Sequence, residues 1–302
     1  MYKRLELHNH TNESDAVFTC KELTDFMVED QVDAFALTDH NTISGHRKIK
    51  KYLAESSLPI AFIPGMEYTT YYGHILCLNL TEYVPWENIN KHKPELLFQA
   101  ARDKGVLVGI AHPFSFGWPF AQGCRFVMHI TDYSCCDFIE IFNNSEPLHE
   151  VNEKGIQLWE NLVLSGKSLA ATCGMDLHGR RSLGGHYSTY IQGEAGGDVC
   201  QELSHAIHTR QTWICKGPLL EVHKDKEAIW FSLYHTQKPG YEPCTDEDYR
   251  ITLRSNHGTK ICQLQDRIPL SDFSDDRILI PMLYEKEIIL EHLVCVSPVI
   301  YL

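Results

Sequence analysis

The sequence predicts an α/β protein: a first part built of βα units around a parallel sheet or barrel, then a small all-β module. Three observations carry this reading. Up to about residue 218, short β-branched or apolar runs alternate with amphipathic helical runs, the texture of successive βα units. Beyond Gly217-Pro218, strand-like segments such as Ala228–Tyr234, Tyr249–Leu253 and Ile278–Leu283 follow one another with no amphipathic helix between them. The chain of 302 residues is long enough for a barrel-sized domain and an appendage, divided here as 1–218 and 219–302.

The candidate strands of the first part are Arg4–His8, Ala34–Thr38, Ile60–Pro64, His74–Leu80, Val106–Ala111, Phe138–Phe142 and Ser168–Cys173. Helices are expected between them. Thr19 and Glu22 form a capping-box pattern ahead of Leu23, Phe26 and Met27, so a helix should begin near Cys20. Ser44 opens a basic helix through Tyr52, and its run Arg47-Lys48-Ile-Lys50-Lys51 reads as a solvated face. Pro94 suits the first turn of a helix over Glu95–Lys104, which Gly105 then stops.

Composition narrows the function classes. Hydrophobic residues at 43% and charged residues at 22% are ordinary for a soluble domain. No run of about 18 apolar residues exists to span a bilayer. The opening Met1-Tyr-Lys-Arg-Leu-Glu-Leu lacks the apolar stretch of a signal peptide, so a cytoplasmic location is expected. Eleven cysteines, an odd number with no Cys-x-x-Cys pair, suit neither a zinc knuckle nor a disulfide framework and read as reduced, mostly buried small hydrophobes. A net charge of −13 disfavours nucleic-acid polymers and anionic membranes as partners. A small anionic substrate stays open, because bound cations invert the local charge of a site.

The 17 histidines raise the question of chemistry. His8-Asn9-His10 ends the first strand with two imidazoles on one side of an extended chain, as a shared metal requires. Alone it says little, since about one His-x-His triplet is expected by chance at this composition. The information lies in recurrence at strand ends. Asp15 follows the first strand, Asp39-His40 the second and Glu67 the third; His74 opens the fourth, His112-Pro113 follows the fifth, and Asp176-Leu-His178 follows the seventh. A parallel barrel gathers such ends on one face, bringing six histidines and three carboxylates together. Crowding of that kind needs cations to relieve desolvation and repulsion.

These motifs resemble those of the polymerase-and-histidinol-phosphatase (PHP) superfamily: His8-x-His10, Thr38-Asp39-His40-Asn41, Ala111-His112-Pro113 and Gly174-Met-Asp176-x-His178, with Pro64-Gly-Met-Glu67 and Gly73-His74 between. The matches run in order from residue 8 to residue 178. The resemblance implies a distorted seven-stranded (β/α) barrel with two or three divalent metal ions, zinc, manganese or iron. One metal would take His8, His10, Glu67 and Asp176; a second would take the shared Glu67 with His74 and His112; a third would take Asp15, His40 and His178. Asp137 to Asn143, Trp159 to Gly166, Ala206 to Arg210 and the ending Ser297-Pro-Val-Ile-Tyr301 are similar to the branch related to carbaryl hydrolase.

The expected activity is that of a metal-dependent hydrolase releasing phosphate from a small phosphorylated metabolite through a metal-activated hydroxide. An ester, amide or carbamate hydrolase on the same site is the alternative, and a non-enzymatic metal protein the third reading. Glu67 would bridge two metals, and His178 or His40 would protonate the leaving alcohol if the third site is empty. Arg180 and Arg181 either grip a substrate phosphate or are two surface arginines on a turn. Glu140 and Asn143 either orient a ligand histidine or the substrate, or are ordinary strand-end polar residues. Trp118-Pro-Phe120 suggests an apolar wall over the metals or simple loop packing, and His46, His92, His129, His149 and the histidines after Ser204 fit no ligand position.

Overall fold

The structure, a computed structural model, describes all residues except 88, 117–121, 146–149, 237–239 and 246–247. It is a mixed α/β fold. Strands β1 (Tyr2–Glu6), β2 (Ala34–Leu37), β3 (Ala61–Thr70), β4 (Gly73–Leu78), β5 (Leu107–Ile110), β6 (Phe138–Asn143) and β7 (Ala170–Gly174) lie side by side in sequence order. Each matches a strand expected from the sequence. Pairing is parallel along β1–β2–β3 and β5–β6–β7, and antiparallel on both sides of β4. Six of these strands therefore run one way and β4 alone opposes them.

Strand β3 is twice the expected length for a specific reason. Its first half pairs with β2 as far as Leu37 opposite Pro64, and its second half pairs with β4 from Gly65 to Thr70. The change of partner falls at Pro64, whose missing N–H would interrupt a continuous ladder. Glu67 thus lies inside a strand rather than beyond its end. The reversal of β4 matters equally: His74 stands at the beginning of β4, and only an antiparallel strand has its beginning at the carboxyl ends of its neighbours.

Two further strands were not foreseen, β8 (Ser188–Gln192) and β9 (Thr212–Cys215). β8 pairs antiparallel with β1 and β9 with β8. The sheet curls until β7 meets these two through side chains: Thr189 Oγ1 accepts from Cys173 N–H at 3.0 Å, and Thr212 Oγ1 donates to Ala171 O at 2.7 Å. At the other end a single parallel bridge, Asn9 to Leu177, links the segments after β1 and β7. Threonine hydroxyls satisfy part of an edge that a backbone ladder would otherwise complete.

Among the described residues five α-helices pack on this sheet: α1 (Cys20–Glu29), α2 (Ser44–Ser56), α3 (Glu95–Arg102), α4 (Glu150–Leu164) and α5 (Val199–Thr209). α1 starts with the expected capping box; Thr19 accepts from Glu22 N–H, and the Glu22 carboxylate accepts from Thr19 N–H at 2.8 Å. Its Leu23, Phe26 and Met27 enter a cluster with Phe35, Leu37 and Ile49. The core under α4 centres on Trp159, whose indole N–H donates to Leu169 O at 3.1 Å.

From residue 219 on, the described residues form strands β10 to β17 and two short 3-10 turns, with no α-helix. β10 (Leu219–Lys224), β11 (Ala228–Tyr234) and β14 (Arg267–Pro269) make a separate three-stranded sheet. β12 (Tyr249–Ser255), β13 (Gly258–Cys262), β15 (Ile278–Glu285) and β16 (Leu293–Val296) instead extend the large sheet, through β16 against β9, while β17 (Ile300–Tyr301) pairs with β15. Trp213 and Cys215 of β9 share a core with Leu220, Ile251 and Val294. All eleven cysteines are free and most are buried, and among the described residues no helix is long and apolar enough to cross a membrane.

The reciprocal cap of α1 gives a direct check. Replacing Thr19 by alanine should lower the stability of the protein by about 1 kcal/mol, read as a shift in the urea midpoint at unchanged m-value.

Candidate metal centre

The nine residues picked out in sequence converge at the carboxyl-end face of β1, β2, β3, β5 and β7. Glu67 is the centre. It has no exposed surface, and five imidazoles surround its carboxylate. Oε1 lies 2.8 Å from His74 Nδ1 and 3.1 Å from His112 Nε2. Oε2 lies 2.9 Å from His40 Nδ1, 3.3 Å from His8 Nε2 and 3.5 Å from His10 Nε2. The second carboxylate, Asp176, faces His10 Nε2 at 3.1 Å, His8 Nε2 at 3.5 Å and His112 Nε2 at 3.9 Å. Towards solvent, Asp15 Oδ1 lies 3.3 Å from His178 Nε2 and 3.6 Å from His40 Nε2.

Local structure aims these groups. His8 and His10 are two apart on an extended segment, so both rings face the same way. Thr11 and Ser14 are clamped by the buried Asp39, which accepts from Thr11 N–H at 2.6 Å, Thr11 Oγ1 at 2.7 Å and Ser14 Oγ at 2.8 Å. That clamp shapes the turn leading to Asp15. Asn41, His112 and Asp176 have φ of 53°, 24° and 48°, left-handed conformations that cost non-glycine residues energy and collect at functional sites. Gly174 is required by close approach: a Cβ there would stand 2.3 Å from His8 Cβ and 2.7 Å from Glu140 Oε1.

The donor set fits cations. His8 Nε2, both ring nitrogens of His10 and Glu67 Oε2 are buried and make no hydrogen bond, although they face one another. Orphaned buried polar atoms of this kind are rare and call for a partner. Four groups of donors, each with atoms within 4.8 Å of one another, could each hold an ion: His8, His10, Glu67 and Asp176; His10, Asp15, His40 and His178; His40, Glu67 and His74; His8, His112 and Glu140. The first matches an expected ligand set, and the second is the expected third set with His10 added. His74 and His112 fall in different groups but touch the same oxygen of Glu67.

The electrostatics show the same mutual dependence. Burial opposes ionisation of Glu67, yet the facing His74 and His8 hold its carboxyl well below the ordinary range. Asp176 behaves likewise; burial is outweighed by His8 and His10. Burial disfavours a charged His112, but Glu67 and Asp176 raise it to about 9. For His10 burial wins and its pKa falls to about 4.

The remaining sequence candidates are placed as follows. Arg180 reaches away from the cluster, pairing with Glu29 at the end of α1 and lying over the Phe26 ring. Arg181 sits beside the site, donating to Asn144 O at 2.8 Å and Ser145 Oγ at 3.1 Å, while Ser145 Oγ bonds the carbonyl of Asp176. Asn143 Nδ2 donates to Asp176 Oδ2 at 3.1 Å, and Glu140 contacts His8 and His112. His46 is a buried neighbour of Gly65 O, away from the donors. Trp118, Phe120 and His149 lie outside the described residues. The sequence reading missed the Asp39 clamp and Thr69, whose hydroxyl bonds His40 Nδ1; the pairing of a buried Asp with Thr and Ser in the turn after β1 was the available signal.

Without metal, protonated His112 stabilises the fold fully below the ordinary imidazole range, and this contribution is lost as pH rises through about 9. The chelated protein should therefore melt at a lower temperature at pH 9.5 than at pH 6.5, and added divalent metal should oppose the trend because its ligands bind deprotonated.

Comparison with known proteins finds a match for the part of the chain that carries most of the cluster. The PHP domain profile matches residues 6–115, which hold His8 to His112 of the cluster. The 5'-3' exoribonucleases Rnm of Salmonella typhimurium and Escherichia coli are each 34% identical over 79 residues, 25% of this chain. The match spans 27% of the length of these curated relatives. A two-domain Bacteroides vulgatus protein, described as containing a predicted PHP-like metal-dependent phosphoesterase, superposes with a TM-score of 0.57 at 15% identity, over 99% of this chain and 95% of that one, a likeness of fold. Residues 6–115, which carry seven of the nine clustered residues, thus match the PHP domain, and the fold of the chain is like that of the two-domain Bacteroides vulgatus protein.

Proposed function

We propose that the protein is a metal-dependent hydrolase whose substrate is a small phosphate ester. The observation that carries the reading is the set of buried, unbonded donors around Glu67 and Asp176, which is stable only with cations among them. Metal ligands in this reading are His8, His10, Asp15, His40, Glu67, His74, His112, Asp176 and His178, holding two or three ions of zinc, manganese or iron. When bound, such ions supply a hydroxide near neutral pH and a positive field for the developing oxyanion. Residues 1–218 are read as the metallohydrolase unit, a distorted seven-stranded barrel, and residues 219–302 as a β-rich module.

The chain's own groups divide the remaining work. Glu67 offers one oxygen to each side of the cluster and so sets the spacing of the two deeper sites. His40, His178 and Asp15 are the most exposed of the nine, with side chains 19%, 39% and 57% accessible, and stand where substrate enters. His178 or His40 would deliver a proton to the leaving alcohol when the outer site is empty. Arg181, fixed at the rim, is suited to a substrate phosphate through its planar fork. Arg180, engaged with Glu29, is not.

A second reading has its own support. The similarity to exoribonucleases favours the 5′ end of an oligoribonucleotide as substrate, against which the net charge of −13 weighs. An ester or carbamate remains the alternative electrophile on the same donors. The metal-loaded protein should be assayed on p-nitrophenyl phosphate, a nucleotide panel, a short 5′-phosphorylated oligoribonucleotide and p-nitrophenyl acetate. Phosphate release is expected, abolished by chelation and lowered by His8→Ala on the order of a hundredfold or more. Arg181→Ala should raise KM about tenfold, the scale of one charge-assisted hydrogen bond, and Arg180→Ala should leave it unchanged. Turnover that survives both chelation and His8→Ala would end the proposal, and turnover of the carboxylic ester alone would reassign the electrophile.

A further inference from the structure

Glu140 belongs to none of the three ligand sets, yet it touches two of their histidines, and the inference drawn from it rests on the reading that His8 and His112 hold metal ions. It is 1% exposed and its two oxygens are divided. Oε1 lies 3.0 Å from His8 Nδ1, and Oε2 accepts from the backbone N–H of His112 at 2.9 Å. Both contacts are made behind the cluster. On His8 the opposite nitrogen, Nε2, faces Glu67 Oε2 and Asp176 Oδ1.

A neutral imidazole carries one ring proton, and an ionised carboxylate can only accept. Glu140 therefore places the proton of His8 on Nδ1 and leaves the Nε2 lone pair for a cation. Its other oxygen caps the N–H of His112, whose φ of 24° turns that amide out of any strand ladder. One carboxylate thus sets the tautomer of one ligand and the backbone of another.

The strand is built to aim it. Alternation along β6 would send Glu140 and Asn143, three residues apart, to opposite faces. The register with β7 slips between Glu140, opposite Thr172, and Phe142, opposite Cys173, so that one residue is absorbed. Ile141 and Phe142 both join the core beneath α4, and Asn143 returns to the pocket to bond Asp176. A bulge beside a site commonly re-aims a side chain in this way.

We propose that Glu140 is a positioning residue that orients His8 and His112 for metal binding and is not itself a ligand. Glu140 meets an N–H donor with each oxygen, so a further ion held by Glu140 and His8 Nδ1 would displace the contact that leaves His8 Nε2 facing Glu67 and Asp176.

The test is a zinc titration of chelator-stripped protein against a chromophoric chelator, with ions per chain counted at saturation, for wild type, Glu140→Gln and Glu140→Asp. A carboxamide has one acceptor; keeping the His112 amide turns its NH2 towards His8 Nδ1 and opposes the metal-binding tautomer. Glu140→Gln should keep the wild-type number of ions at saturation but hold one of them 10–100-fold more weakly. Glu140→Asp, still acceptor-only, should fall between the two. In the zinc-loaded wild type the His8 Nδ1 proton should give a low-field, exchange-protected resonance that Glu140→Gln loses, a change that a purely structural role would not produce. Wild-type affinity in Glu140→Gln overturns the proposal, and so does loss of one ion per chain at saturation, which would make Glu140 a ligand. If Glu140→Gln does not fold, wild-type affinity in Glu140→Asp overturns it equally. A wild-type protein that binds no divalent ion would instead remove the metal reading itself.

Discussion

Glu67 is a carboxylate with no exposed surface and five imidazoles around it, and the architecture of the metal-facing end follows from that arrangement. A buried charge of this kind is costly unless opposite charge is held close by. Here the compensation comes from five imidazoles on four different segments, so a shift of any one segment would leave part of that charge uncompensated. The depressed carboxyls of Glu67 and Asp176 and the raised His112 are one coupled balance seen from different members.

The fold meets this constraint with departures from regular βα repetition. β3 changes partner at Pro64 so that its second half carries Glu67 into the pocket. β4 runs backwards so that His74, at its beginning, arrives at the same end. β6 absorbs a residue so that Glu140 and Asn143 both look inward. Three donors or their neighbours adopt left-handed backbone, and Gly174 stays without a Cβ beneath His8. Each of these irregularities places a donor or a group that contacts one, as expected when strain is tolerated in exchange for placement.

The cluster is also graded. Its deep part, around His8, His10 and Glu67, is buried and held from behind by Glu140; its outer part, Asp15 with His178 and His40, opens to solvent. That gradient separates donors shut away from water from donors that solvent can reach. Arg180 and Arg181 show how adjacency in sequence misleads, because a turn sends one guanidinium to α1 and the other to the rim.

Much of this was legible in the chain. The seven leading strands and the cap of α1 rest on local patterns of period and capping, which act over a few residues, and the nine donors on the ordered recurrence of short motifs from residue 8 to residue 178. β8 and β9 escaped notice, because the pairing of β8 with β1, the packing of both on β7 and the attachment of β16 to β9 are long-range facts. For Glu140 and Arg181 the sequence left a site role and an ordinary polar role both open, and the atoms that Asp39 clamps could not be read from it. A buried carboxylate in isolation is only an unfavourable residue; which amide or imidazole it satisfies depends on strand register and direction, and these are set by packing across the whole sheet. Residue types and order determined that a cluster of histidine and carboxylate donors would form, and tertiary structure decided which atom faces which.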